Sequence, residues 1–242
     1  MKNIFFKIKL YGPIQFLKFL VREAHYKIWT QRVKNSFSQW GEDQVIDSII
    51  RKKTGFYVDI GANDPKRFNN TYKFYRMGWN GINIEPSVEC FQKLRMTRRR
   101  DINLNIGIGR ANKNYYYYAF EPNTLSTFSK STADKYQKMG FKLMEKRKVR
   151  MVTLSSIFSK YVKNSKIDFL TVDTEGSDLR VLMTNNWQKY KPDVICVELA
   201  RRKLKRHKLL SYKKGLTSFL EQKGYKEHHK SDINGIFVRI KQ

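Results

Sequence analysis

The sequence predicts an α/β fold: a mostly parallel, twisted sheet with helices on both faces, ending in an antiparallel hairpin. Three observations carry this. Short, near-continuous apolar runs recur, clearest in "FYVDI" (56–60), "IDFLTV" (167–172) and "DVICVEL" (193–199), and strands buried on both faces read this way. Segments with helical spacing lie between most of the central runs, and strand–helix alternation builds a parallel sheet. Near the end, "GYKEHHKSDINGIFVRI" holds two strand-like runs joined by Asp, Asn and Gly turn residues, which is a hairpin signal.

Taken in order, residues 1–36 stand apart. They carry eight Lys/Arg against one acid, Glu23. Pro13 suits a helix start, and Leu17, Leu20, Val21, Ala24 and Ile28 then recur at helical spacing. This is a basic amphipathic arm, suited to docking on a membrane surface or to packing on its own domain. The domain proper spans 37–242. "FSQWGEDQVIDSIIRKK" reads as a turn and a helix turning Val45, Ile46, Ile49 and Ile50 inward. Strands are expected at 56–60, 81–85, 102–106, 114–120, 149–154, 167–173, 193–199, 225–228 and 235–240. Helices are expected at 68–77, 87–97, 155–161, 177–184 and 212–223.

The 242 residues suit one domain with an appendage. A formal charge of +28 calls for an anionic partner or substrate, and charge alone does not choose among nucleic acid, lipid headgroups and acidic glycans. Cys90 and Cys196 fall in a helix and a buried strand and have no metal or disulfide spacing. A reducing, cytoplasmic setting fits them. No apolar run reaches the roughly 18–20 residues that span a bilayer, and lysines break up the first sixteen residues too often for a secretory leader.

In open α/β sheets ligands sit beyond the carboxyl ends of the strands, where strand order reverses. The first strand ends at Gly61, in "GANDP". Glycine permits a tight turn and a close approach. The later glycines of a dinucleotide fingerprint are absent, with Asn63 and Lys66 in their places, which disfavours a pyrophosphate. The second strand ends at Glu85, an acid placed to accept hydrogen bonds from ribose hydroxyls and to repel a ribose phosphate. A nucleoside without phosphates fits both features, and S-adenosylmethionine is the common cofactor of that kind. In "IDFLTVDTEGSDL", Asp173, Glu175 and Asp178 surround Gly176 at the same sheet edge. They suit a general base, a hydroxyl clamp or a hard-cation ligand such as a site for Mg²⁺. Ser177 or Asp178 equally suits a helix cap.

Six segments in order — "SQWGEDQVID", "GFYVDIGANDP", "NNTYKFYRMGWNGINIEPS", "DINLNIGIG", "LSTFS" and "IDFLTVDTEGSDLRVL" — resemble the FkbM-type S-adenosylmethionine-dependent methyltransferases over about residues 37–200. The resemblance implies a Rossmann-like class I methyltransferase sheet and O-methylation of a hydroxyl, often on a sugar or polyketide-type product. It places Asp59, Gly61, Ala62 and Asn63 on the methionine side of the cofactor. Glu85, followed by Pro86, is placed at the ribose, and Gly107 near the adenine. Gln39, Glu42 and Asp43 are placed to close the pocket. Asp173 and Glu175 face the methyl group and acceptor. Many relatives have a histidine where Ser177 stands here, which leaves Asp173, Glu175 or a metal to act as base.

Two other readings stand beside O-methylation of a glycan or small-molecule acceptor. Arg95, Arg98, Arg99 and Arg100 and the net charge suit a nucleic-acid methyltransferase, although no base-flipping motif or RNA-binding module is present. A non-catalytic, membrane-docked protein that kept the fold is the third. "EPNTLSTFSK" (121–130) is placed to cover the active site or to serve as a surface connection. "NYYYYAF" (114–120) suits sugar stacking or plain strand propensity. The basic run 201–208 suits an anionic ligand or a solvated helix face. The four histidines lie outside the motifs, and the adjacent pair His228 and His229 points to opposite faces of a strand.

Overall fold

The computed structural model describes residues 36–110, 112–162, 166–199 and 206–240. The amphipathic arm up to residue 35, His25 and residues 201–205 of the basic run lie outside them.

The chain opens with α1 (Glu42–Ile50), then β1 (Phe56–Ile60), α2 (Tyr72–Arg76), β2 (Asn80–Ile84), α3 (Val88–Thr97) and β3 (Ile102–Leu104). After β4 (Gly107–Ile108), β5 (Lys113–Glu121), α4 (Lys130–Lys138) and β6 (Lys142–Val152) come α5 (Leu154–Tyr161) and β7 (Phe169–Val172). The chain ends with α6 (Asp178–Leu182), β8 (Val194–Glu198), α7 (Arg206–Gln222), β9 (Tyr225–Lys230) and β10 (Asn234–Arg239).

The main sheet has seven strands in the order β3-β2-β1-β7-β8-β10-β9. β3, β2, β1, β7 and β8 run parallel, and β10 is antiparallel to both β8 and β9. Expected and observed architecture agree here, down to the closing hairpin. Alternation along the strands builds two cores. Val58, Ile60, Ile82, Ile84, Leu170 and Val172 turn toward α5, α6 and α7, meeting Phe158, Leu182 and Leu220. Tyr57, Phe169, Val194, Cys196 and Ile236 turn the other way, toward Ile46 of α1 and Phe74 of α2. Each face is covered by helices because β1, β7 and β8 carry apolar residues at odd and even positions alike.

The strands expected at 114–120 and 149–154 need a correction. They are β5 and β6, of nine and eleven residues, and they leave the main sheet for a second one ordered β4-β6-β5. Lys113, Asn114, Tyr115 and Tyr116 of β5 and Lys146, Lys148 and Arg150 of β6 are exposed, which a doubly covered parallel sheet would not admit. α4 between them was not anticipated, because only Ala133 among its nine residues is buried and its apolar period is faint. Ser129 caps it by accepting from the Thr132 N–H at 3.3 Å. The strand expected at 102–106 stops at Leu104, because the Asn105 side chain donates to the carbonyls of Glu85 (2.8 Å) and Pro86 (3.0 Å) and turns the chain away.

Candidate active site

Strand register fixes which residues meet at the carboxyl edge. Ile60 pairs with Ile84 on one side and Val172 on the other; Ile84 pairs with Leu104, and Val172 with Val197. The next residues therefore form a row: Asn105, Glu85, Gly61, Asp173, Glu198. Neighbouring strands are about 4.8 Å apart, so Gly61 stands between two carboxylate-bearing tips. The chain moves outward from β1 to β2 to β3 and, on the other side, from β7 to β8. The gap between β1 and β7 is thus the switch point at which ligands bind.

Gly61 has φ +82°, and a Cβ there would collide with the carbonyl oxygen of Asp173. The glycine is required by the close approach of the β7 tip as well as by the turn. Asn63 follows in the left-handed region at φ +47°, which asparagine tolerates better than most residues. The turn is held from behind. Asn69 Nδ2 donates to the Ala62 and Asp64 carbonyls, both at 3.1 Å, and to Asp59 at 3.3 Å. Thr71 donates to Asp59 at 2.8 Å. Arg98 donates to Asn69 and Thr71, is fully buried, and lies against the rings of Tyr57, Tyr72 and Tyr75. Asp59 is therefore directed into this network rather than into open space. Burial pushes its carboxyl up to about 6, against the lowering pull of Thr71, Arg98 and Asn69.

Glu85 is buried at the β2 tip and accepts from the Asn63 N–H at 2.8 Å and the Ser87 N–H at 2.7 Å. A carboxylate has about four acceptor sites, so capacity remains for ribose hydroxyls. Burial raises it to about 7, opposed by those two N–H donors. The Pro86 carbonyl is held by Asn105 and by Arg147, which reaches in from β6 and also donates to Asn105 Oδ1 at 2.9 Å. Gly107 packs under Phe128 and Met151, where a Cβ would crowd the Phe128 ring. From the segment 121–130, Asn123 donates to Asn63 Oδ1 and approaches Cys90 Sγ, both at 3.0 Å. That segment does reach across to the glycine turn.

On the other side of Gly61, Asp173 opens to solvent at the rim. Crowding by protein atoms raises its carboxyl above the usual range, and repulsion from Asp178 and Glu175 pushes the same way. Water at the open side tempers the first effect; the charge repulsion stands. Glu175 (φ +51°) and Gly176 (φ +90°) are both left-handed. For glutamate that conformation costs about 1–2 kcal/mol, and such strain persists where surrounding contacts enforce it. Asp178 enforces it here. It accepts from Thr174 N (2.9 Å), Thr174 Oγ1 (3.1 Å), Gly176 N (3.2 Å) and the Tyr212 hydroxyl (2.6 Å). Ser177 occupies the N-cap position of α6 without a side-chain cap bond.

Gln39, Glu42 and Asp43 lie at the entry to α1. Glu42 is buried and accepts from Trp40 N, Ser231 Oγ and Asn234 Nδ2, each at 2.8 Å, which ties the first turn to the β9–β10 hairpin. Asp43 accepts from Ser36 Oγ (2.5 Å) and Phe37 N (2.7 Å) and so orders the entry to α1. These carboxylates brace the fold. Gln39 sits half-buried on the same turn. Among the described residues no group of three or more His, Cys, Asp or Glu side chains is arranged to hold a metal ion. Sequence reasoning missed Asn69, Thr71, Arg98, Asn123 and Arg147 as site supports. Asn69 and Thr71 sit inside "NNTYKF", a recognisable motif; Arg147 had no signal beyond its charge.

The methyltransferase FkbM domain model matches residues 59–227. The chain belongs to the FkbM methyltransferase family. No curated protein matches it in sequence. Similar solved structures include a TehB-like SAM-dependent methyltransferase from Corynebacterium glutamicum, with 10% identity and TM-score 0.44, covering 90% of this chain and 100% of that one. Another is the Methanococcus jannaschii fibrillarin pre-rRNA processing protein, with 13% identity and TM-score 0.44, covering 78% and 67%. A third is a Bacillus cereus O-methyltransferase solved in complex with SAH, with 10% identity and TM-score 0.41, covering 90% of each chain. In this FkbM protein the residues present fit S-adenosylmethionine. The turn at Gly61 lacks further glycines for a pyrophosphate, and buried Glu85 keeps acceptor capacity for a ribose. Among the described residues no helix is long and apolar enough to cross a membrane.

Proposed function

We propose that this S-adenosylmethionine-dependent methyltransferase O-methylates a hydroxyl of a sugar, glycan or other small-molecule acceptor, with Asp173 as general base. The observation that carries this reading is the position of Asp173: one strand from the cofactor turn, at the open rim, and crowded by carboxylates that raise its basicity. When bound, the cofactor supplies an electrophilic methyl carbon. An aliphatic hydroxyl is a poor nucleophile at neutral pH and needs a base within hydrogen-bond reach. Asp173 would accept the proton that the acceptor hydroxyl gives up, and the sulfonium–methyl bond broken in the transfer would leave S-adenosylhomocysteine. Glu175, held at the rim by the Asp178-braced loop, receives a hydrogen bond from the acceptor and aligns it, since positioning supplies much of such a rate. Glu85 and the Asn63 turn hold the ribose and methionine ends, Pro86 and Gly107 flank the adenine, and Asp59 keeps the turn in place through Asn69 and Thr71.

The test is release of S-adenosylhomocysteine with a panel of sugars, nucleotide-linked sugars and phenols, comparing the natural protein with Asp173→Asn. Acceptor-dependent turnover that collapses in the variant, with cofactor binding kept, supports the reading. Full turnover in Asp173→Asn removes Asp173 from the base role.

A further inference from the structure

β5 and β6 form a ribbon with two unlike faces. Tyr115, Tyr117, Arg147 and Val149 share one face through the pairs Tyr115↔Val149 and Tyr117↔Arg147. Tyr117 and Val149 are buried there, and Arg147 clasps Pro86 at the cofactor edge. The pairs Asn114↔Arg150, Tyr116↔Lys148 and Tyr118↔Lys146 make the other face. At its outer end Asn114, Tyr116, Lys146, Lys148 and Arg150 are all exposed. Lys146 Nζ lies 4.6 Å from the Tyr116 ring centre and Lys148 Nζ 5.9 Å from it. Both are within cation–π range.

Among the described residues none of Lys146, Lys148 and Arg150 is ion-paired with a carboxylate; the nearby acid, Glu145, approaches Arg147 instead. Three unpaired like charges on one strand face repel one another, and lysine has low strand propensity. Edge protection accounts for some of this charge, and Lys113 lies 5.3 Å from the Tyr115 ring on the opposite face, but the face of Tyr116 carries three exposed cations in file beside its ring. Alternate strand residues are about 6.7 Å apart, comparable with successive phosphates along an extended single strand. Cations in file beside an exposed aromatic ring are the elements of sequence-tolerant single-strand binding: charge follows the backbone and the ring stacks on a base.

We propose that the outer face of the β5–β6 ribbon binds single-stranded RNA through Lys146, Lys148 and Arg150 to phosphates and Tyr116 to a base. This goes beyond the methyl-transfer reading and does not depend on it.

The experiment is fluorescence anisotropy of a labelled 20-nucleotide oligouridylate with the full chain at several salt concentrations. Four proteins are compared: the natural one, Lys146→Ser/Lys148→Ser/Arg150→Ser, Tyr116→Ala, and a control lacking three exposed lysines elsewhere (Lys189→Ser/Lys214→Ser/Lys226→Ser). Thermal melting confirms that each is folded. The proposal expects the log–log salt slope to fall by about 2 in the ribbon triple variant, given roughly 0.7 per phosphate contact. It expects about tenfold weaker binding in Tyr116→Ala and a small change in the control. Equal losses in ribbon and control variants would mean diffuse charge and overturn it. So would an unchanged affinity in Tyr116→Ala with equal competition by dextran sulfate, or binding to phosphatidylserine vesicles in preference to the oligonucleotide.

Discussion

Asp173 and Glu85 flank the same glycine and carry the two residue-level predictions. Both have raised pKa values, with different consequences. A general base works only when unprotonated, so turnover should rise with pH through the raised Asp173 value, about tenfold per unit below it, and then level. Asp173→Asn should lower kcat by about 10²–10⁴-fold, remove that rising limb, and leave the dissociation constant for S-adenosylhomocysteine within a few-fold. Stopped-time assays from pH 6 to 9 read all three. Glu85 is pushed up to about 7 by burial. Ribose hydroxyls donate to the charged form and favour it, so cofactor affinity should strengthen from pH 6 to 8 and flatten above. Glu85→Gln should bind about 10–100-fold more weakly, the value of a hydrogen bond to a charged acceptor, with no pH dependence over that range. Calorimetric titration at pH 6, 7 and 8 decides it. A natural protein with flat affinity would detach Glu85 from the ribose.

The turn at Gly61 shows what an element requires beyond its own residues. Asn69 donates to the Ala62 and Asp64 carbonyls and to Asp59. Asn69→Ala should therefore weaken S-adenosylhomocysteine binding about tenfold and lower stability by about 1–3 kcal/mol, since buried acceptors lose their donor. Titration and urea unfolding of the same samples read the two effects. A stability loss with unchanged affinity would mean that Asn69 braces the fold alone. The strands whose tips build the site were legible because β1, β7 and β8 are covered on both faces and read as apolar runs, while β2 shows one such face in Ile82 and Ile84. The acids and glycine at their ends were legible for the same reason: polar residues that end such runs stand out. The β4-β6-β5 sheet was not, because runs of Tyr, Lys and Arg suit any half-exposed strand, and sequence carries no mark of which sheet such a strand joins. The bonds that tie Glu42 to the hairpin were hidden for a related reason: its partners Ser231 and Asn234 lie far away in sequence.

At the scale of the molecule, the site exists only because the switch point brings together tips from both halves of the sheet. Residues near 61 and 85 come from one half, and residues near 173 from the other. A ligand that bridges them binds the folded protein and not the unfolded chain, so it must stabilise the whole domain. At a hundred times its dissociation constant such a ligand adds about 2.7 kcal/mol. At about 2–4 °C per kcal/mol for a domain of this size, S-adenosylhomocysteine should raise the melting temperature by about 5–10 °C. NAD should not raise it. A pyrophosphate needs bare backbone beyond Gly61, and Asn63 stands there with its side chain held between Cys90 and Asn123. Scanning calorimetry with each ligand in turn separates the cases. A shift with S-adenosylhomocysteine that disappears in Glu85→Gln locates the cofactor at the β1–β2 tips. A shift with NAD instead would mean that Asn63 and Asn123 yield to a phosphate, and the phosphate-free reading of the glycine turn would fall.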